Sequence, residues 1–163
     1  MSSNDGATPV MVEVTQAGAD DIPRLAPLFD AYRQFYEQAP DLPGAEAYLT
    51  ERLERHESVV FLAEATMPTS ALPSPAGFTQ LYPSFSSVSM CPRWILNDLF
   101  VSPEFRRLGI GAALLERARH FAVGTGAKSM SLETAVTNKT AQALYESLGW
   151  KRDEVYYTYE LEL

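Results

Sequence analysis

The segment WILNDLFVSPEFRRLGIGAALLERARHF, residues 94–121, contains the transition that decides the fold. Its first eight residues are a mostly apolar run that contains one carboxylate, which predicts a strand covered on both faces of a sheet. From Gly109 onward apolar residues recur every three or four positions, which predicts an amphipathic helix that stops at Gly124. The residues between them therefore form a strand-to-helix turn.

This turn has the composition of an anion site. The N-terminus of a helix presents unpaired backbone N–H groups at the positive end of the helix dipole, where phosphates bind. Gly109 and Gly111 let a ligand approach the backbone, and Arg106 and Arg107 add positive charge. Considered alone, the pattern is equally consistent with a tight turn whose arginines are solvated.

Two familiar phosphate motifs fit less well. GTGAKS, residues 124–129, lacks the glycine before lysine and lies between a helix and a strand, the reverse of the P-loop order. GIGAAL, residues 109–114, begins like a dinucleotide fingerprint, but Leu114 replaces the third glycine and the preceding turn is too long. A dinucleotide-binding oxidoreductase stays open as a weaker alternative.

Composition limits the class of protein. With 163 residues and 46% hydrophobic residues, the chain predicts one domain, residues 1–163, with residues 1–9 as a disordered tail. A formal net charge of −8 argues against nucleic-acid partners, and no apolar run is long enough to span a membrane. A single cysteine and two histidines predict neither disulfides nor a metal site, and a cytoplasmic location follows.

The remaining periodicities predict the other elements. Residues 10–14 indicate a strand, followed by a helix capped by Asp20 or Asp21 and a second helix over residues 45–55. Strands are predicted from residues 59, 76, 94 and 128, a helix over 138–148, and a final strand, VYYTYELEL, over 155–163. This order favours a single-sheet domain with mixed strand directions.

The segment RRLGIG, residues 106–111, fits the signature Arg/Gln-x-x-Gly-x-Gly/Ala, with DLFVSP before it and NKTAQALYESLGW after it. Residues 94–150 thereby resemble the GNAT superfamily, the Gcn5-related N-acetyltransferases. YRQFY, residues 32–36, and LNDLFV are similar to the Hpa2-like branch. The resemblance implies an α+β (α/β three-layer) fold, in which a mixed, mostly antiparallel twisted sheet is flanked by helices and splayed between its fourth and fifth strands.

The resemblance also implies acetyl-CoA as co-substrate, no metal, and acetyl transfer to an amine by direct attack. The pyrophosphate would contact the turn, namely Arg106, Arg107, Leu108, Gly109, Ile110, Gly111 and Ala112. The pantetheine and the acetyl carbonyl would contact the backbone of Leu99, Phe100 and Val101. Asn138 either caps its helix or also binds the cofactor.

Three side chains are candidates for the chemistry. Tyr145 could protonate the departing thiolate beside the cofactor, or it could be a core aromatic on an apolar stripe. Asp98 lies in an otherwise apolar strand, and Glu133 in the next strand, so either could attract the amine and accept its proton. Asp98 is the first candidate for the base.

The acceptor is less defined. Aromatic residues that could wall its pocket, or belong to an ordinary core, are Tyr32, Phe35, Tyr36 and Tyr82. Aromatic rings beside carboxylates suit a cationic small molecule or peptide amine. The aromatic strand over 155–163 could pair two chains into a homodimer. A non-catalytic acyl-CoA-binding regulator is a further alternative.

Overall fold

The computed structural model describes residues 9–163 as two compact units, one ending at Glu133 and one comprising residues 134–163. The predicted disordered tail, residues 1–9, lies outside the described residues except for Pro9. The assignment of residues 1–163 to one domain stays a prediction.

A five-stranded sheet organises the first unit. Its strands and helices, in chain order, are β1 (Met11–Gln16), α1 (Ile22–Phe35), α2 (Leu42–Glu54), β2 (Val59–Thr66), β3 (Ser74–Ser86), β4 (Cys91–Val101), α3 (Ile110–Gly124) and β5 (Met130–Ser131). The strands pair in the order β1-β2-β3-β4-β5, antiparallel except for the parallel pair β4–β5. The predicted mixed, mostly antiparallel sheet is confirmed.

Helices cover both faces of this sheet. On one face, Leu25 and Phe29 of α1 and Leu49 of α2 pack against a core that includes Phe78 and Phe100. On the opposite face lies α3, whose Arg117 guanidinium is 4.6 Å from the centre of the Phe61 ring and whose Phe121 also contacts Phe61. Because side chains alternate along a strand, the sheet separates two apolar layers, as a three-layer fold requires.

The sheet opens between β4 and β5. The two strands pair only where Trp94 and Ile95 meet Met130 and Ser131. Within residues 9–133, no other strand pairs with β4 on that side, so its stretch from residue 96 to 101 has a free edge. The predicted splay between the fourth and fifth strands is therefore confirmed, and β5 is shorter than the strand predicted from residue 128.

The second unit contains one helix, α4 (Lys139–Ser147), among its described residues. The Asn138 side chain accepts a hydrogen bond of 3.1 Å from the Ala141 N–H, so the predicted cap is confirmed. The predicted final strand is wrong: residues 155–163 form no strand and are exposed. Alternating aromatic and polar residues supply β-propensity, but a strand also needs a hydrogen-bonding neighbour.

Dimer formation through residues 155–163 stays a prediction. No helix within residues 9–163 combines the length and the apolar character needed to cross a bilayer.

Candidate active site

A β-bulge in β4 marks the edge where the sheet opens. Gln80 of β3 pairs with Asp98, but the next residue, Leu81, pairs with Leu96, so Asn97 is an extra residue on β4. Bulges increase the local twist and redirect neighbouring side chains, and they are frequent beside active sites. Asn97 is exposed, whereas Asp98 and Phe100 are buried. The bulge lies beyond the last β4 residue that pairs with β5.

The stretch Leu99–Val101 combines a free edge with close packing on its other side. Val101 pairs with Gly77 of β3, and a Cβ placed on Gly77 would lie 2.5 Å from the Phe100 carbonyl oxygen. Only glycine fits there, so β3 approaches β4 closely at this point. The backbone groups of the opposite edge can pair with an extended ligand, as sheet edges do.

The turn that follows β4 has two residues in the left-handed region. Arg107 has φ 63° and Gly109 has φ 78°. Such conformations turn successive backbone N–H groups toward one concavity, which favours anions. The Arg106 Nε donates to the Val101 carbonyl at 3.1 Å, which holds this guanidinium against the strand end.

The N-terminus of α3 has no side-chain cap. Its first helical hydrogen bond joins the Ala113 N–H to the Gly109 carbonyl at 3.0 Å. The N–H groups of Ile110, Gly111 and Ala112 therefore precede the first intrahelical donor. Together with Arg106 and Arg107, this end of the helix offers the donors and positive charge that a phosphate group binds.

Asp98 is at the centre of a buried polar cluster on the α1–α2 face of the sheet. It is 4% exposed, its Oδ2 accepts from Gln80 Nε2 at 2.8 Å, and its Oδ1 accepts from Asn97 Nδ2 at 3.1 Å. Burial raises the pKa of Asp98, and hydrogen bonds from Gln80, Tyr32 and Asn97 counteract part of that effect.

The predicted aromatic residues divide into two groups. Tyr32 and Tyr82 belong to the surroundings of Asp98, and burial is the main reason that the pKa values of both phenols are raised. Phe35 and Tyr36 are exposed at the end of α1, with ring centres 5.3 Å apart. The Tyr36 ring lies 5.1 Å from that of Tyr32, so the exposed pair is continuous with the half-buried Tyr32.

Glu133 is not in a comparable environment. It follows the end of β5 and is exposed, whereas Asp98 is buried among hydrogen-bond donors. The two carboxylates that the sequence left open as bases are thus distinguished by their surroundings.

Tyr145 and Asn138 both lie in the second unit. Tyr145 is a buried residue of α4, and its ring centre is 6.2 Å from that of Trp150. The ring contact agrees with the apolar stripe predicted for this helix.

Sequence reasoning missed four polar residues of the first unit: Gln80, Tyr48, Asn97 and Asp30. The Tyr48 hydroxyl of α2 is 2.6 Å from that of Tyr82. Asp30 accepts from Arg33 Nη1 at 2.9 Å and from the Asp41 N–H at 3.0 Å, and it thereby fixes the connection between α1 and α2. The available signal was Gln80 itself, because it is a polar residue in an apolar strand, as Asp98 is.

Within residues 9–163, no group of three or more acidic, histidine or cysteine side chains is arranged to hold a metal ion.

Comparisons with known proteins agree on one family. Residues 25–150 match the sequence model of the acetyltransferase (GNAT) family. The chain is 47% identical over 152 residues to "Uncharacterized N-acetyltransferase YhfO" of Bacillus subtilis (strain 168), which covers 93% of this chain and 98% of that one. A "Probable acetyltransferase" of Haemophilus influenzae is 33% identical over 139 residues, or 85% of this chain and 90% of that protein. A solved structure titled "Crystal structure of a probable acetyltransferase" superposes with a TM-score of 0.85 at 39% identity, covering 93% of this chain and 97% of that one.

Proposed function

Because the chain belongs to the GNAT family of acetyltransferases and is an acetyl-CoA-dependent acyltransferase, we propose that its acceptor is a primary amine that attacks the thioester directly. We further propose that residues 1–163 make up one acetyltransferase domain. The dinucleotide alternative is rejected, since the sheet is mostly antiparallel where a dinucleotide fold needs parallel strands. Membership of the Hpa2-like branch stays a prediction.

The proposed binding of acetyl-CoA uses two adjacent features of the first unit. The uncapped N-terminus of α3, with Arg106 and Arg107, receives the pyrophosphate. The free edge of β4 at Leu99, Phe100 and Val101 pairs with the pantetheine and donates an N–H to the acetyl carbonyl, where negative charge develops during attack.

Asp98 is the proposed base, and its buried polar environment is the observation that carries the proposal. A carboxyl whose pKa is raised is better matched to accepting an amine proton near neutral pH than an ordinary surface aspartate. Because Asp98 itself is buried, we propose that the Tyr32 hydroxyl, which donates to it, relays the proton from the amine. Glu133, exposed beyond β5, is the weaker candidate.

The proposed reaction conserves protons. An amine that arrives as an ammonium first loses one proton to solvent. The neutral nitrogen then bonds to the acetyl carbon and gives a proton to Asp98 through Tyr32, the C–S bond breaks, and the thiolate takes the Tyr145 hydroxyl proton. Solvent afterwards returns a proton to Tyr145 and removes one from Asp98.

The proposed acceptor is a cationic amine on a small molecule or a peptide. The exposed rings of Phe35 and Tyr36 lead from the surface to Tyr32 beside Asp98. Rings attract a cation through their faces, and the carboxylate attracts it by charge.

Thiol release from acetyl-CoA across a panel of polyamines, amino sugars, amino acids and lysine peptides tests this function. We expect at least one amine class to release thiol. We expect Asp98→Asn to lower turnover by about a hundredfold or more. Its acetyl-CoA affinity should stay near that of the parent.

Glu133→Gln is the matched control and should keep parent turnover. A fully active Asp98→Asn enzyme beside a slow Glu133→Gln enzyme would transfer the role of base to Glu133. Binding of CoA without thiol release for every amine would instead indicate a regulator.

A further inference from the structure

Gln80 is a buried amide with no part in the proposed proton transfer, yet it contacts the proposed base. It lies opposite Asp98 in the β3–β4 register and is fully buried. Its Nε2 donates to Asp98 Oδ2 at 2.8 Å and to the Tyr82 hydroxyl oxygen at 3.0 Å. Its Oε1 is buried and has no hydrogen-bond partner among the described residues.

The direction of these hydrogen bonds depends on the charge of Asp98. An ionised carboxylate only accepts hydrogen bonds, so the amide must turn its nitrogen toward it. The Tyr82 oxygen accepts the second amide hydrogen, and the Tyr82 O–H remains able to donate to the hydroxyl oxygen of the exposed Tyr48. A buried Oε1 without a hydrogen-bond partner is unfavourable. The amide keeps this orientation because its Nε2 donates a hydrogen bond to the Asp98 carboxylate.

The other groups around Asp98 do not supply a counter-charge. Tyr32 from α1 and Tyr82 from β3 interact with Asp98. Beyond them, Tyr36 from α1 interacts with Tyr32, and Tyr48 and Arg52 from α2 interact with Tyr82. The phenols of Tyr32 and Tyr82 stay neutral because their pKa values are raised. Arg52 lies over the Tyr48 ring and pairs with Glu51 and Glu57. Neutral donors, Gln80 first among them, therefore stabilise the Asp98 charge.

We propose that Gln80 is a positioning residue that keeps Asp98 oriented and ionised for receiving the amine proton. The inference rests on the proposed role of Asp98 in the reaction. Gln80 is not a reacting group, yet by this inference it controls the pH at which the enzyme becomes active.

The test is a direct titration of the Asp98 carboxyl carbon by ¹³C NMR, with Asp98→Asn to assign the signal. Gln80→Met keeps an unbranched side chain and removes the donor. We expect the Asp98 pKa to rise by about one unit or more, since a hydrogen bond to a charged group is lost. The ascending limb of the plot of kcat/KM against pH should move to higher pH together with the Asp98 pKa.

Thr79→Val is the matched control. Thr79 is also fully buried on β3 and donates to Asp98 at 2.8 Å, but to the backbone carbonyl instead of the carboxylate. It should lower stability and leave the Asp98 pKa in place. An unchanged Asp98 pKa in Gln80→Met would overturn the inference.

Two further arms keep the test decisive. If Gln80→Met does not fold, Gln80→Glu replaces it. A second carboxyl beside Asp98 should raise the Asp98 pKa further, and an unchanged Asp98 pKa would again overturn the inference. A further outcome is that the Asp98 pKa rises in Gln80→Met while the ascending limb of kcat/KM against pH keeps its position. That result would show that Gln80 controls the Asp98 pKa and that only the assignment of Asp98 as base is wrong.

Discussion

Three aspartates of this protein show how local partners set the role of a carboxylate. Asp98 is buried among neutral donors, which leaves its pKa raised and its charge available for chemistry. Asp21 accepts from the Gly18 N–H at 2.8 Å and pairs with Arg24, and these partners lower its pKa. Asp30 is buried but paired with Arg33, as expected of a structural carboxylate. Burial without a counter-ion thus distinguishes the candidate base.

At the same scale, Tyr145→Phe separates a general acid from a packing residue. The variant keeps the ring against Trp150 and removes only the hydroxyl. If the hydroxyl protonates the thiolate, turnover should fall by about a hundredfold or more. The acetyl-CoA affinity should be near that of the parent, and the melting temperature should fall by no more than a few degrees.

Steady-state thiol release, calorimetric titration of acetyl-CoA and thermal unfolding measure these three quantities. Tyr157→Phe removes a hydroxyl from an exposed ring of the same unit and should leave all three unchanged. A Tyr145→Phe enzyme with parent turnover would exclude the acid role and leave protonation of the thiolate to water.

At the scale of elements, the sequence predicts what is decided locally. The turn from β4 into α3 was predicted because its glycines, arginines and apolar periodicity lie within 28 consecutive residues. The Asn138 cap was equally local. The strand expected over 155–163 was wrong because strand formation depends on a neighbour that no local pattern specifies. The Gln80–Asp98 contact depends on β3–β4 register, which the sequence did not reveal.

The two glycines at the ends of α3 test whether the left-handed conformation of the turn matters. Gly109 precedes the helix with φ 78°, and Gly124 is its last residue. A Cβ at either position would meet no atom within 4 Å, so only the backbone conformation differs. Gly109→Ala should cost about 1 kcal/mol of stability, whereas Gly124→Ala should be neutral or stabilise by up to about 1 kcal/mol.

Denaturant unfolding gives both stabilities, and titration calorimetry gives the affinity for acetyl-CoA. We expect Gly109→Ala to bind acetyl-CoA more weakly, because relief of the left-handed strain moves the turn away from its phosphate-binding conformation. Each 1 kcal/mol lost from the binding free energy raises the acetyl-CoA Kd about fivefold. Gly124→Ala should leave that Kd unchanged. Equal acetyl-CoA affinities in the two variants would contradict the proposed phosphate site at the start of α3.

At the scale of the whole molecule, the charge balance constrains the ligands. With 21 acidic and 13 basic side chains, the protein carries a formal charge of −8, which attracts cations over long range and repels phosphates. Binding of an anionic cofactor therefore requires local donors, which is the role proposed for the α3 N-terminus with Arg106 and Arg107. A cationic acceptor benefits from the overall field, in agreement with the proposed amine. Composition alone does not distinguish a polyamine from a lysine peptide, because both carry the same charged group.

The stability of the whole fold should record the cost of keeping Asp98 ionised. Its pKa is raised in the folded state, so its contribution to stability is fully present below the unfolded-state pKa and is lost as pH rises through the folded-state value. Asp98→Asn should therefore unfold at higher denaturant concentration than the parent at neutral pH, and the difference should shrink toward acid pH. The new amide N–H can donate to Gln80 Oε1 after reversal of the Gln80 side chain, which pairs the orphaned oxygen.

Asp21→Asn is the opposite case, because the Asp21 pKa is lowered. The stabilising contribution of Asp21 is present above the unfolded-state pKa and is lost as pH falls through the folded-state value. Denaturant unfolding of the parent and both variants from pH 2 to pH 8 should give differences of opposite sign. The stability gained in Asp98→Asn should grow as pH rises above the unfolded-state pKa, whereas the stability lost in Asp21→Asn should be nearly constant above that pKa and shrink as pH falls below it. An Asp98→Asn variant that is less stable than the parent at neutral pH would show that the ionised carboxylate stabilises the fold, and would contradict the view that Asp98 is kept for chemistry at the expense of stability.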